Sequence, residues 1–119
     1  MHVCLVAFGS ALGGVARYLV SQGLGTSAGF PWCTLGVNVV GSLAIGLISG
    51  ALAHATGNVV AVRAFAVVGF CGGFTTFSTF SNEMFHLLEG AQYGHAVLYA
   101  SVSVFAGLAA VGIGFLFTR

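Results

Sequence analysis

Only five side chains of fixed charge are spread over 119 residues: Arg17, Arg63, Glu83, Glu89 and Arg119. There is no lysine and no aspartate. Charged residues make up 4% of the chain and hydrophobic ones 58%, whereas a soluble domain gives about a quarter of its residues to charge. A chain so poor in charge cannot cover its own surface in water. The bilayer is the solvent that rewards apolar surface on the outside, and it requires every backbone polar group to be satisfied internally. The expected fold class is therefore all-α, with membrane-spanning helices.

A spanning helix needs about 20 mostly apolar residues, and four such runs can be placed, at about 3–24, 32–54, 59–88 and 94–117. Pro31 suits a helix start and Trp32 a membrane interface. The third run is too long and too interrupted for one plain span. The connections, about 24–31, 55–58 and 89–93, are short, so residues 1–119 read as a single four-helix transmembrane domain. The first run lacks a basic segment before its apolar stretch, and the other runs are membrane-like in any case, so a cleaved signal peptide would not rescue a soluble protein.

Composition also excludes several function classes. A net charge of +1 disfavours nucleic acid, which needs many cations to neutralise phosphates. Cys4, Cys33 and Cys71 are odd in number and widely separated, which disfavours a disulfide framework or a structural zinc site. His2, His54, His86 and His95 lack ligand spacing and fall near the ends of the runs. No carboxylate pair, serine–histidine–aspartate set or phosphate loop is present within the spans, so an enzyme is not expected.

Small residues recur four apart: Gly9 with Gly13, Gly46 with Gly50, Gly69 with Gly73, and Ser103 with Gly107. In lipid such spacing lets helix backbones approach closely. Most faces are then expected to touch other helices, and four short helices offer little interior, which implies an oligomer. The arginines are nearly balanced across the membrane, Arg17 towards one side and Arg63 and Arg119 towards the other. Two topologies stay open: a fixed orientation, or insertion both ways followed by antiparallel pairing of two copies.

Polar chemistry concentrates in residues 69–83, GFCGGFTTFSTFSNE. Gly72-Gly73 followed by Thr75-Thr76 reads as a break in the third helix. Lipid penalises each freed backbone group by several kcal/mol, so a break persists only where protein or a ligand satisfies it. The alternative is a glycine kink patched by threonine hydroxyls. Phe77 and Phe80 share a helix face, either as packing or as ring edges, which are electropositive and can contact an anion. Thr76, Ser78, Thr79 and Ser81 supply hydroxyls beside them, and Glu83 follows one turn later. In the second run Asn38 is an amide in an apolar setting, either interhelical glue or a ligand, with Ser42 one turn further. In the fourth, Tyr99, Ser103 and Gly107 form a stripe at i, i+4 and i+8. No fixed charge occupies the middle of any span. Neutral donors and aromatic edges suit a small anion that must bind firmly enough to shed water and loosely enough to leave.

GGVARY at 13–18, TLGVNVVGS at 34–42 and the 69–83 stretch strongly resemble the Fluc family of fluoride channels, also called CrcB. The likeness covers the whole chain. It implies a dual-topology antiparallel homodimer in a bacterial or other microbial plasma (inner) membrane, with two pores at the subunit interface. Such a protein exports fluoride passively from the cytoplasm and so reduces its toxicity. Carried to matching positions, the resemblance makes Asn38 the pore amide and Phe77 and Phe80 the aromatic pair on fluoride. Ser78 and Thr79 become nearby hydroxyl donors, and Tyr99 and Ser103 a polar track. Gly107 stands where some members carry a further hydroxyl. Arg17 and Glu83 fall at a vestibule or helix end. A structural sodium ion is implied at the dimer centre, on the backbone carbonyls of Gly72 and Thr75, with no organic cofactor. Selectivity for fluoride over chloride comes from the resemblance alone. Two rivals fit less well. A small multidrug-resistance transporter needs an acid in its first span, and residues 3–24 contain none. A non-transporting subunit would explain the small-residue faces but not polar groups distributed over three helices.

Overall fold

The computed structural model describes residues 1–25 and 29–119; the 26–28 part of the expected first connection lies outside them. Helix α1 (His2–Leu24) ends where Gly25 adopts φ 68°, a left-handed value that glycine tolerates and that halts the winding. Helix α2 (Trp32–Leu52) starts just after Pro31, and it stops two residues short of 54. There the Ala53 N–H reaches back only to the Gly50 carbonyl, which tightens the last turn out of α geometry. Helix α3 covers 59–74, α4 is Phe77–Glu89 and α5 is Tyr93–Thr118. Among the described residues the secondary structure is all helical, and four runs are long and apolar enough to cross a membrane, with 59–89 taken as one.

Within α3, Arg63–Cys71 is wound as a π-helix, a wider winding that commonly marks functional segments. The helical run ceases after Phe74 and restarts at Phe77. Between them Thr75 (φ −82°, ψ 159°) and Thr76 (φ −151°, ψ 119°) are extended. The interruption thus lies at the threonines, whereas Gly72 and Gly73 stay helical. The physical reason is packing: a Cβ on Gly73 would press on the Ser10 backbone of α1, so that glycine serves close approach rather than chain reversal. β-Branched threonine accepts the extended conformation readily.

Two seams of close backbone approach hold the helices together. In the first, α1 lies on α3 so tightly that a Cβ on Gly13 would collide with the Phe70 carbonyl, and one on Gly69 would sit 3.0 Å from the Gly9 Cα. In the second, α2 lies along α5, and Gly46 faces the Val111 carbonyl without room for a side chain. Dispersion and shape drive such contacts in lipid, where no hydrophobic gain separates helix from tail. Three of the four small-residue pairs therefore seal seams. The fourth, Ser103 with Gly107, does not: a Cβ on Gly107 would meet only the Ser42 Oγ, at 3.7 Å.

A small interior cluster of Phe30, Leu35, Leu87, Ala96 and Tyr99 ties the N-terminal part of α5 to α2 and α4. Elsewhere the chain is thinly covered: 11% to 28% of the most apolar window of each span is buried within the protomer. The remaining apolar surface needs lipid or further protein against it.

A single methyl distinguishes sealed glycines from open ones. Gly46→Ala drives a Cβ into the α5 backbone and should destabilise the protein by about 1–3 kcal/mol, whereas nothing lies within 4 Å of a Cβ on Gly112. The thermal unfolding midpoint in detergent should therefore fall for Gly46→Ala and hold or rise for Gly112→Ala, since alanine is the better helix former.

Candidate functional site

The site is built around the two extended threonines. The Thr75 N–H keeps the last α-type bond of α3, to the Cys71 carbonyl at 2.9 Å, and its Oγ1 donates to the same carbonyl at 2.9 Å. Beyond it, extended geometry takes the Thr76 backbone out of the hydrogen-bond ladder. Thr76 is satisfied from another helix. Asn38 Oδ1 accepts from the Thr76 N–H at 2.8 Å, and Asn38 Nδ2 donates to the Thr76 carbonyl at 3.0 Å. One side-chain amide thus replaces a backbone partner on both sides of the same residue. Of the two readings left open for Asn38, interhelical glue is a direct observation. An amide nitrogen carries two N–H groups and Thr76 occupies one, so the second remains for a ligand.

Thr76 is also the N-cap of α4. Its Oγ1 accepts from the Thr79 N–H at 3.2 Å and lies 3.1 Å from Thr79 Oγ1. Arg17 braces the other side of the interruption, its Nε donating to the Gly73 carbonyl at 3.3 Å. A guanidinium there complements the carbonyl-rich end of α3. Arg17 is thus engaged with a helix end, and it also lines a cavity.

Two concavities meet at the interruption. The larger, about 530 Å³, includes Arg17, Ser21, Thr34, Thr79, Glu83 and His86 in its lining. The smaller is an open-sided groove of about 300 Å³, lined by Asn38, Ser42, Ile45, Thr75, Thr76, Phe77, Phe80, Ser103 and Val104. Thr76 borders both. The groove has no charged residue in its lining. Phe77 and Phe80 stand with ring centroids 5.7 Å apart, tilted by 32°. Phe80 leans on Tyr99 (4.9 Å), whereas Phe77 is 77% exposed and has its ring free at the groove's open edge. Ser103 Oγ is buried and has no hydrogen-bond partner among the described residues. A buried hydroxyl without a partner is uncommon and marks a place for a ligand or water.

Behind Phe80 the polar groups are engaged with one another. Glu83 accepts from Thr34 Oγ1 at 2.6 Å and from the Tyr99 hydroxyl at 2.7 Å, so both carboxylate oxygens carry a donor. Two helices anchor it, since α2 and α5 each send a hydroxyl to it. Tyr99 is wholly buried, its ring edge-on to Phe30 at 5.5 Å, and it stands behind the groove wall rather than in the lining.

The structure therefore gathers Asn38, Phe77, Phe80 and Ser103 on the groove, and Arg17, Thr79 and Glu83 on the larger cavity. Tyr99 joins them through Glu83 and Phe80, and Ser78 is exposed outside both linings. Thr34 was missed as a functional candidate. It had a signal: Thr34, Asn38 and Ser42 repeat at i, i+4 and i+8 on α2, the spacing of Tyr99, Ser103 and Gly107 on α5.

Comparison with known proteins adds the following. The family profile described as "CrcB-like protein, Camphor Resistance (CrcB)" matches residues 4–115. A protein of Nitrobacter hamburgensis named fluoride-specific ion channel FluC 1 is 45% identical over 119 residues, covering 98% of this chain and 94% of its own length. The fluoride-specific ion channel FluC of Nitrobacter winogradskyi is 46% identical with the same coverage. That of Sphingopyxis alaskensis is 47% identical over 116 residues, or 96% of this chain and 92% of its own.

Asn38→Asp keeps an acceptor for the Thr76 N–H and removes the donor for its carbonyl. Leaving that carbonyl unmatched should cost about 1–3 kcal/mol. Thermal unfolding in detergent should show the loss, and an unchanged midpoint would mean that the amide does not hold the interruption.

Proposed function

The chain belongs to the CrcB family, and on that footing we propose that it is a fluoride-selective channel that lets fluoride leave the cytoplasm passively. It is a multi-pass plasma-membrane protein of an ion-channel family, not an enzyme. The observation that carries the reading is the position of Thr76. It borders both the larger cavity and the groove, and Asn38 holds it in an extended conformation that opens the helix between them.

Fluoride enters from the larger cavity and passes the interruption into the groove. Water is exchanged for neutral partners along the way. The second Asn38 N–H, the Ser103 hydroxyl and the Thr79 hydroxyl donate to it, and the ring edges of Phe77 and Phe80 face it with their positive rim; Ser78, outside both linings, is not on this route. The capped start of α4 adds the positive end of a helix dipole. No fixed cation lines the groove, so nothing there binds the ion too tightly to release. Arg17 stays at the approach, held by Gly73, and Glu83 lines the same cavity with both carboxylate oxygens engaged by hydroxyl donors.

The groove is open along one side, and Phe77 is exposed there. A second copy inserted in the opposite sense closes it, which gives an antiparallel dual-topology homodimer with two equivalent pores. Charge balance supports this arrangement, because three arginines give no strong preference for either orientation. The interruption then lies at mid-membrane, where the partner copy screens it from lipid. A sodium ion fits at the dimer centre. With ψ 159° at Thr75, its carbonyl turns out of the helical ladder, and the Gly72 face is open, its nearest neighbour 3.8 Å from a would-be Cβ. Carbonyl oxygens are suitable ligands for a hard cation. The Gly72 and Thr75 carbonyls of both copies would hold it, and its charge would offset those of anions passing on either side.

Purified protein in liposomes should release fluoride fast and chloride hardly at all, measured with ion-selective electrodes; equal release of both contradicts selectivity. Phe80→Ile should slow fluoride efflux by at least about tenfold, as losing a ring-edge contact of roughly 1.4 kcal/mol would, while the dimer persists on size exclusion. Wild-type efflux from that variant would remove Phe80 from the path.

A further inference from the structure

The groove runs past the residues assigned so far, towards the point where α2 and α5 should have sealed and did not. Ser42 stands one turn beyond Asn38 on α2 and shares the groove lining with Asn38 and Ser103. Across from it is Gly107. The glycines that follow on this seam, Gly46 and Gly114, are pressed against backbone of the opposite helix, but a Cβ on Gly107 would meet nothing closer than Ser42 Oγ, at 3.7 Å. No side chain therefore shields the Ser42 hydroxyl from the groove. One turn before Gly107, Ser103 Oγ is buried without a partner among the described residues. Two hydroxyls thus flank the same stretch of groove from opposite helices, and at least one of them lacks the bond that burial demands.

We infer that the Ser42 hydroxyl is a further fluoride-coordinating group, receiving the ion from Asn38 and Ser103 at the Gly107 level. The inference rests on the fluoride-channel reading. A serine hydroxyl donates one hydrogen bond and carries no charge, so a ladder of Asn38, Ser103 and Ser42 replaces hydration stepwise without a trap. Gly107 matters to the site by what it leaves open: it lets α2, rather than α5, supply the donor at this level.

The test is fluoride efflux from liposomes containing the full-length protein, read with a fluoride electrode. Ser42→Ala should slow efflux about fivefold to tenfold, the rate ratio of one neutral hydrogen bond, with the size-exclusion profile unchanged. Ser42→Ala/Gly107→Ser should recover most of the loss, because a serine at 107 places its oxygen in the space that the Ser42 hydroxyl vacates. Recovery through a hydroxyl on the opposite helix separates coordination from simple packing. Ser42→Cys, which keeps the volume and weakens the donor, should be slow as well, and it decides the matter if Ser42→Ala does not assemble. Wild-type efflux from Ser42→Ala or Ser42→Cys overturns the inference, and so does a double variant no faster than Ser42→Ala. Failure of the unsubstituted protein to pass fluoride would instead overturn the channel reading itself.

Discussion

Everything at the centre of this molecule depends on one exchange of hydrogen bonds: the Asn38 side chain takes both the N–H and the carbonyl of Thr76. An interruption in an apolar helix is untenable unless its backbone is satisfied, since hydrocarbon offers no partner. A carboxamide accepts on its oxygen and donates from its nitrogen, two atoms spaced to meet the N–H and the carbonyl of one residue. By doing both, Asn38 makes two extended residues stable inside an otherwise helical run. It thereby keeps polar groups presented at a groove in an otherwise apolar chain.

Around that pairing, the fixed charges are kept out of the groove by being engaged elsewhere. Arg17 is drawn to the Gly73 carbonyl, and Glu83 is held by Thr34 and Tyr99. The groove lining that remains is amide, hydroxyl and ring, with Ile45 and Val104 as its aliphatic members. Coulomb attraction between opposite unit charges grows steeply in a low dielectric, so a cation within the groove would hold a halide far longer than neutral donors do. On the channel reading proposed above, two tasks are separate: charges brace the helices and neutral groups meet the ion.

Much of this was legible in the residues. Charge poverty pointed to the class, and the apolar runs to four helices long enough to cross a membrane. GGFTTFSTF signalled that the third run could not be one uniform helix. The exact point of interruption was not legible, because Gly72-Gly73 looks like the weaker element. Only the tertiary contact of Gly73 with Ser10 shows why the glycines stay wound and the threonines open. The π-helical winding of 63–71 carries no recognisable residue signature. The burial of Tyr99 against Glu83 was also invisible, because spacing along α5 places a residue on a face without saying what that face meets. The α2 stripe of Thr34, Asn38 and Ser42 was there to be read, but the surrounding apolar residues and glycines of that helix hide it. Small-residue spacing, read uniformly, overstated the Ser103–Gly107 pair, which opens space instead of closing it.

The central claim is that the Asn38 amide, while bracing Thr76, also touches the permeating ion with its second N–H. The most direct measurement is a fluorine–nitrogen distance experiment by solid-state NMR, on protein in lipid with the asparagine side chains labelled with nitrogen-15 and with fluoride present. A fluorine-dependent loss of the Asn38 side-chain signal, absent when chloride replaces fluoride, is the expected result. An Asn38 signal indifferent to fluoride, in protein that still conducts it, would contradict the account.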